Sequence, residues 1–147
     1  MTDTAPRTST ANGTSAPVET GTALGAGPAV GTVEIQDGQE WTRVCAYDEL
    51  TPGRGVAALS AGGRQVAVFR DRAGGLYAVD NRDPFSGAHV LSRGILGSRA
   101  GAPTLASPMY KQTFDLRDGR CLDEETAPDG RPAILRTFPV RVAPPTA

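Results

Sequence analysis

The chain has 147 residues, a formal net charge of -1, two cysteines and one histidine. This is one domain's worth of chain, it excludes a protein built as a whole to neutralise phosphates, and it excludes any four-cysteine or two-cysteine, two-histidine zinc site within one copy. No run approaches the roughly 20 apolar residues of a membrane span, and the N-terminus lacks the basic-then-apolar pattern of a secretory leader. The reading is therefore a cytoplasmic protein, with no membrane or nucleic-acid partner, whose thiols Cys45 and Cys121 are free.

Residues 1–38 contain no Phe, Trp or Tyr and one basic residue, Arg7. Thr, Ala, Gly, Pro and Ser dominate, and such a composition buries too little apolar surface to offset its ordering entropy. The segment is expected to be a flexible tail, with a domain over 39–143 and a short C-terminal end at 144–147. A weak alternation from Val30 to Ile35 is the competing signal, for an edge strand. From Trp41 the texture changes. Trp41–Cys45 alternates as a strand, Tyr47–Leu50 reads as one helical turn ended by Pro52-Gly53, and Gly55–Leu59 as a short strand. Gln65–Phe69 and Leu76–Val79 flank the turn Asp71–Gly75 as a hairpin. Thr104–Ala106, Thr113–Leu116, Arg120–Leu122 and Ile134–Val142 complete the set, with a turn at Asp118-Gly119. Gly at 18 positions and Pro at 12 favour this pattern of short strands over long helices. The fold class is all-β, an antiparallel sandwich or partly open barrel.

Two connections stand out: a long one from Asn81 to about Pro103, and the turn Ser107–Lys111. Between Asn81 and Lys111 the basic residues are Arg82, Arg93, Arg99 and Lys111, and the acid is Asp83. These loops are locally positive, whereas Asp123–Asp129 is acidic. Candidate catalytic sets are thin. His89 lies near Asp83, Ser86, Ser92 and Ser107 in sequence, but none of these serines has a nucleophile-elbow pattern, and His89 reads as a plain loop residue. Asp123, Glu124 and Glu125 read as a solvated run, and Cys45 and Cys121 as strand residues that fill the core. No catalytic residue and no metal ligand is assigned.

The order of elements around the two loops resembles a Rieske domain. In that family a Cys-x-His loop follows a hairpin, and a Cys-x-x-His loop precedes a Gly-x-x-Phe-Asp-Leu…Gly segment. Here Leu76–Asn81 leads into Arg82-Asp83-Pro84-Phe85, and Ser107-Pro108-Met109-Tyr110 runs into Lys111-Gln112-Thr113-Phe114-Asp115-Leu116, then Asp118-Gly119. By this resemblance Asp83 and Phe85 stand at the first Cys and His positions, Ser107 and Tyr110 at the second, and Lys111 replaces the following glycine. All four ligands of a two-iron cluster are thus replaced. The segments 81–86, 92–97 and 107–116 together resemble the small subunit of bacterial assimilatory NAD(P)H nitrite reductase, a Rieske-like domain without cluster ligands. The resemblance spans about Trp41 to Val142.

It implies an accessory subunit of an enzyme that reduces nitrite to ammonium. FAD, siroheme and an iron–sulfur cluster are then expected in a large partner subunit, and none in this chain. Phe85 and Tyr110 are expected to pack on each other where a cluster would be held, with Pro84 and Pro108 stiffening the loop tips. The face carrying Arg82, Pro84, Arg93, Arg99, Pro108 and Lys111 is expected to dock on the large subunit. The alternative is a stand-alone Rieske-like binding module of another oxidoreductase.

Overall fold

The structure, a computed structural model, describes residues 31–144. Nine short strands form three antiparallel three-stranded sheets. The first has the order β2 (Glu40–Ala46), β1 (Thr32–Asp37), β9 (Val140–Ala143). The second runs β3 (Gly55–Leu59), β4 (Gln65–Arg70), β5 (Leu76–Asp80), and the third β6 (Ile95–Arg99), β7 (Ala102–Ala106), β8 (Thr113–Asp115). Single 3-10 turns at Tyr47–Glu49 and Leu91–Arg93 are the helical elements among the described residues, and no helix there is long and apolar enough to cross a membrane.

The middle sheet explains the layering. Val66, Ala67, Val68 and Phe69 of β4 are all fully buried. Successive side chains of a strand point to opposite faces, so a continuous apolar run requires cover on both sides. Val66, Val68 and Ala78 enter one core with Val33, Ile35, Tyr47, Leu50 and Phe138. Ala67, Phe69 and Val79 enter the other, with Leu91, Leu105, Phe114, Leu116 and Leu135. The first core binds the sheet holding the chain ends. The second binds the sheet holding the two loops.

Three expectations are corrected. The tail does not extend to Gly38: β1 lies inside that span and is the central strand of its sheet, paired with β2 through Val33↔Cys45 and with β9 through Val33↔Val142. Averaged over 38 residues, the Thr/Ala/Gly composition conceals one alternating hexapeptide whose Val33 and Ile35 are fully buried. Residues 1–30 lie outside the described residues. The long connection from Asn81 to Pro103 contains β6, paired with β7 from Ile95↔Ala106 to Arg99↔Ala102. This edge strand is mostly solvent-facing, so it lacks the apolar periodicity that marks a strand. The expected strands Arg120–Leu122 and Ile134–Val142 resolve into isolated bridges, at Arg120 and Cys121 and at Ile134 and Thr137, with β9 following Pro139. The other expected strands stand within a few residues of where the alternation puts them.

Gly31 and Ala143 meet across the end of the first sheet, where Thr32 pairs with Ala143. Tyr47 donates its amide to the Gly31 carbonyl and its hydroxyl to the Gly74 carbonyl, in the β4–β5 turn. Asn81 follows the opposite end of β5, so the loops leave from the far end of the middle sheet. At that end Asp37 ties the layers together, accepting from Ser60 Oγ at 2.6 Å and from Arg136 at 3.2 Å.

Deletion of residues 1–38 is therefore expected to abolish cooperative unfolding. It removes both ladders of the first sheet and two buried side chains worth about 1.5–3 kcal/mol each. Truncation after Val30 keeps every described strand. Thermal melts of the two truncations, followed by circular dichroism, check this.

Candidate functional site

Both loops are built to one plan. In the first, Asn81 is the anchor. It is 2 % exposed, its Oδ1 accepts the Ser92 amide at 2.7 Å, and its carbonyl accepts the Leu91 amide at 3.0 Å, which closes the base of the loop. Asp83 then turns the chain: Phe85 donates its amide to Asp83 Oδ1 at 2.8 Å, and Gly87 donates to the Asp83 carbonyl at 2.7 Å. In the second loop, Met109 donates its amide to Ser107 Oγ at 3.2 Å, and Lys111 donates to the Ser107 carbonyl at 3.1 Å. Each loop thus has a short polar residue, a proline, an apolar residue and, four positions on, a left-handed residue. Those last residues are Gly87, with φ 79°, and Lys111, with φ 66°. Lysine pays a steric penalty there that glycine avoids. The correspondence between Asp83-Pro84-Phe85-Ser86-Gly87 and Ser107-Pro108-Met109-Tyr110-Lys111 is present in the sequence, and sequence reasoning passed over it.

The two loops meet through one contact. Ser107 donates its hydroxyl to Asp83 Oδ2 at 2.6 Å, with Asp83 at 0 % and Ser107 at 2 % exposure. Both oxygens of the Asp83 carboxyl therefore accept a hydrogen bond, as a buried acid requires. The positions matched to the two cysteine ligands are joined directly to each other.

The positions matched to the histidines are not joined. Phe85 is half-buried and packs on Phe114, ring centroids 6.2 Å apart. Tyr110 is 60 % exposed. The expected Phe85–Tyr110 pair is thus corrected: Phe114, fixed in β8 at the centre of the second core, offers Phe85 a preformed apolar surface. Arg82, Arg93, Pro108 and Lys111 are exposed and Pro84 is half-buried. Arg99 sits on β6, with its guanidinium 3.4 Å from Asp123 of the acidic loop. His89 is exposed and bridges to Arg82 through the backbone, and none of the hydrogen bonds given for the described residues joins its side chain to a serine or an acid.

Asp115, Cys45 and Tyr77 have proton affinities moved by their surroundings. Arg117, bonded to both Asp115 oxygens at 3.1 and 2.8 Å, holds the Asp115 carboxyl below its ordinary range, against the opposing effect of burial. Burial, helped by the Glu49 charge, pushes the Cys45 thiol up, which disfavours the thiolate a reactive cysteine needs. Burial and the neighbouring Asp71 carboxylate push Tyr77 up to about 12. Tyr77 and Asp71 line a cavity of about 260 Å³ with Leu96, Thr104 and Leu116, and Tyr77 donates to Asp71 Oδ2 at 3.1 Å. The cavity includes none of the loop-tip residues.

Residues 40–145 match the model of the Rieske-like [2Fe-2S] domain. The nitrite reductase (NADH) small subunit of Salmonella typhimurium is 46 % identical over 87 residues, 58 % of this chain and 80 % of that protein. The chain belongs to the Rieske-like domains, among the nitrite reductase small subunits. A solved structure described as an NADH-dependent nitrite reductase small subunit from Mycobacterium tuberculosis superimposes with a TM-score of 0.58 at 48 % identity, covering 73 % of this chain and 99 % of that one. A nitrite reductase [NAD(P)H] large subunit of Klebsiella oxytoca is 42 % identical over 104 residues, 69 % of this chain but 10 % of that protein.

The family's name carries a two-iron cluster, and the residues of this Rieske-like domain do not fit one. Such a centre takes two cysteines and two histidines. At the four positions implied by the resemblance there are a carboxyl and a hydroxyl in direct contact, a core-packed phenyl ring and an exposed phenol. No group of three or more His, Cys, Asp or Glu side chains among the described residues is placed to hold a metal ion.

Ser107→Ala is expected to cost about 1–3 kcal/mol in denaturant unfolding, because it leaves a buried carboxyl oxygen without its donor. Lys111→Gly is expected to gain up to about 1 kcal/mol by relieving the left-handed backbone, net of the added freedom of the unfolded chain. Asp115→Asn is expected to melt below the parent at neutral pH, with the gap closing as pH falls. A carboxyl with a lowered native pKa stabilises above its unfolded pKa of about 3.9 and loses that contribution as pH drops through the native value. Melting temperatures of both proteins between pH 7 and pH 2.5 check the sign.

Proposed function

We propose that this chain works in the cytoplasm as the small, accessory subunit of an assimilatory NAD(P)H-dependent nitrite reductase, an enzyme that converts nitrite to ammonium. The large subunit carries the FAD, siroheme and iron–sulfur cluster, and this chain docks to it and supports it. The observation that carries the reading is the hydrogen bond from Ser107 to Asp83. It joins the two loops of a Rieske-like scaffold directly, so the scaffold keeps its shape without a redox centre. What remains for such a domain is binding. The Klebsiella oxytoca relative supports the choice of partner, since a domain like this one forms a tenth of a nitrite reductase large subunit there.

The loop end supplies the docking face, through Arg82, Pro84, Arg93, Pro108 and Lys111. Asp83, the one acid in this stretch of sequence, is buried, so the charge presented is positive. Arg99 contributes less, because Asp123 already neutralises it in part. Cationic rims of this kind raise association rates toward acidic surfaces more than they raise final affinity.

The test is purification of the tagged chain from its native host, with iron analysis of the chain alone. Co-purification of a large siroheme-containing chain, with no stoichiometric iron in the small chain by itself, is expected. Recovery of a different oxidoreductase, or a cluster absorption spectrum from the isolated small chain, overturns the reading.

A further inference from the structure

Five large apolar side chains are conspicuously exposed: Leu59, Ile95, Met109, Tyr110 and Ile134. Three of them lie on or beside the second loop. Met109 and Tyr110 form the tip of the second loop at 49 % and 60 % exposure, and Ile95, at 65 %, pairs across β6–β7 with Ala106, one residue before Ser107. None is needed to fill either core. Arg82, Arg93 and Lys111 are exposed on the same loops and make no ion pair among the described residues. Exposed apolar side chains accompanied by cations make an interaction surface.

We propose that Met109, Tyr110 and Ile95 are the anchors of the docking face, and that they seat in an apolar pocket bordered by carboxylates on the large subunit. The proposal rests on the subunit reading above and does not draw on Phe85, which packs on Phe114. Two features select this occupant. The cationic rim calls for an acidic neighbour, and the related domain within the Klebsiella oxytoca large subunit belongs to the same chain as the rest of that subunit. The Ser107–Asp83 bond fixes the tip that carries Met109 and Tyr110, so these side chains are presented with little backbone freedom to lose on binding. A tyrosine near the centre of such a patch is a frequent hot spot.

The experiment titrates the full small chain onto the purified large subunit from the same organism, with affinity and rates read by biolayer interferometry. Met109→Ala/Tyr110→Ala is expected to weaken binding at least about 30-fold, chiefly through faster dissociation. Lys111→Glu is expected to slow association several-fold and flatten its salt dependence. Ile134→Ala, exposed but outside both loops, is expected to stay within about twofold of the parent. Melting temperatures confirm that each variant is folded. Parent-like affinity of the double variant, while the parent binds, overturns the anchors and leaves the subunit reading standing. A folded parent that fails to bind the large subunit overturns both. Self-association of the free chain that is abolished by the double variant, with binding to the large subunit unchanged, assigns the patch to a second copy and overturns the proposal.

Discussion

β4 presents apolar side chains to both of its faces, and a strand of that kind is stable only when something covers each side. The first sheet covers one face with Val33 and Ile35, and the elements leading to and from the two loops cover the other with Leu91, Leu105 and Phe114. The remaining architecture follows from this demand. The chain lays β1 and β2 over one face, builds the middle sheet from β3 to β5, then must send its later part over the other face and return its last strand to the first sheet. That return brings Val140–Ala143 beside a strand more than 100 residues earlier in sequence, where Arg141 pairs with Glu34 and lies over the Trp41 ring.

The loop end shows how a metal-centre scaffold holds its shape by other means. A hydroxyl donating to a carboxyl is a small interaction beside a set of metal–ligand bonds, yet it occupies the same place in the topology, joining two loops that lie 24 residues apart. Each loop is also closed within itself by amides turned onto its own first residue, and Asn81 pins the first loop to the middle sheet. Between them these bonds satisfy the buried polar groups of Asn81, Asp83 and Ser107. They hold the tips without any chemistry of their own, which suits a surface that binds.

Much of this was legible in the residues, and the exceptions share a cause. β4 and β5 were read almost to the residue because alternation and β-branched content agree there. The Rieske resemblance implies that Asp83, Phe85, Ser107 and Tyr110 hold the ligand positions, and the structure puts two of these residues, Asp83 and Ser107, in contact. The central place of β1 was hidden because its pairing with β9 is non-local, and no local pattern reports a partner more than 100 residues away. β6 was hidden because an exposed edge strand has no apolar face to reveal it. The Phe85–Tyr110 pairing failed because the resemblance implies that the two loop tips converge, but not that Phe114 offers Phe85 a preformed apolar surface. The parallel between the two Pro-containing loops was open to inspection, as a polar residue followed by proline and an apolar residue at both 83–85 and 107–109.

The pairing of Thr32 with Ala143 brings buried Gly31 close to exposed Pro144. That spot adjoins the β4–β5 turn through Tyr47 and Gly74, at the other end of the middle sheet from the loops. Antiparallel partners lie about 5 Å apart, so entry and exit of the polypeptide almost coincide. A domain of this form can interrupt a longer polypeptide as a side loop would, without forcing the flanking segments apart. It is also suited to circular permutation, with a linker of a few residues joining Ala143 to Gly31 and new ends opened at the Gly62-Gly63 turn.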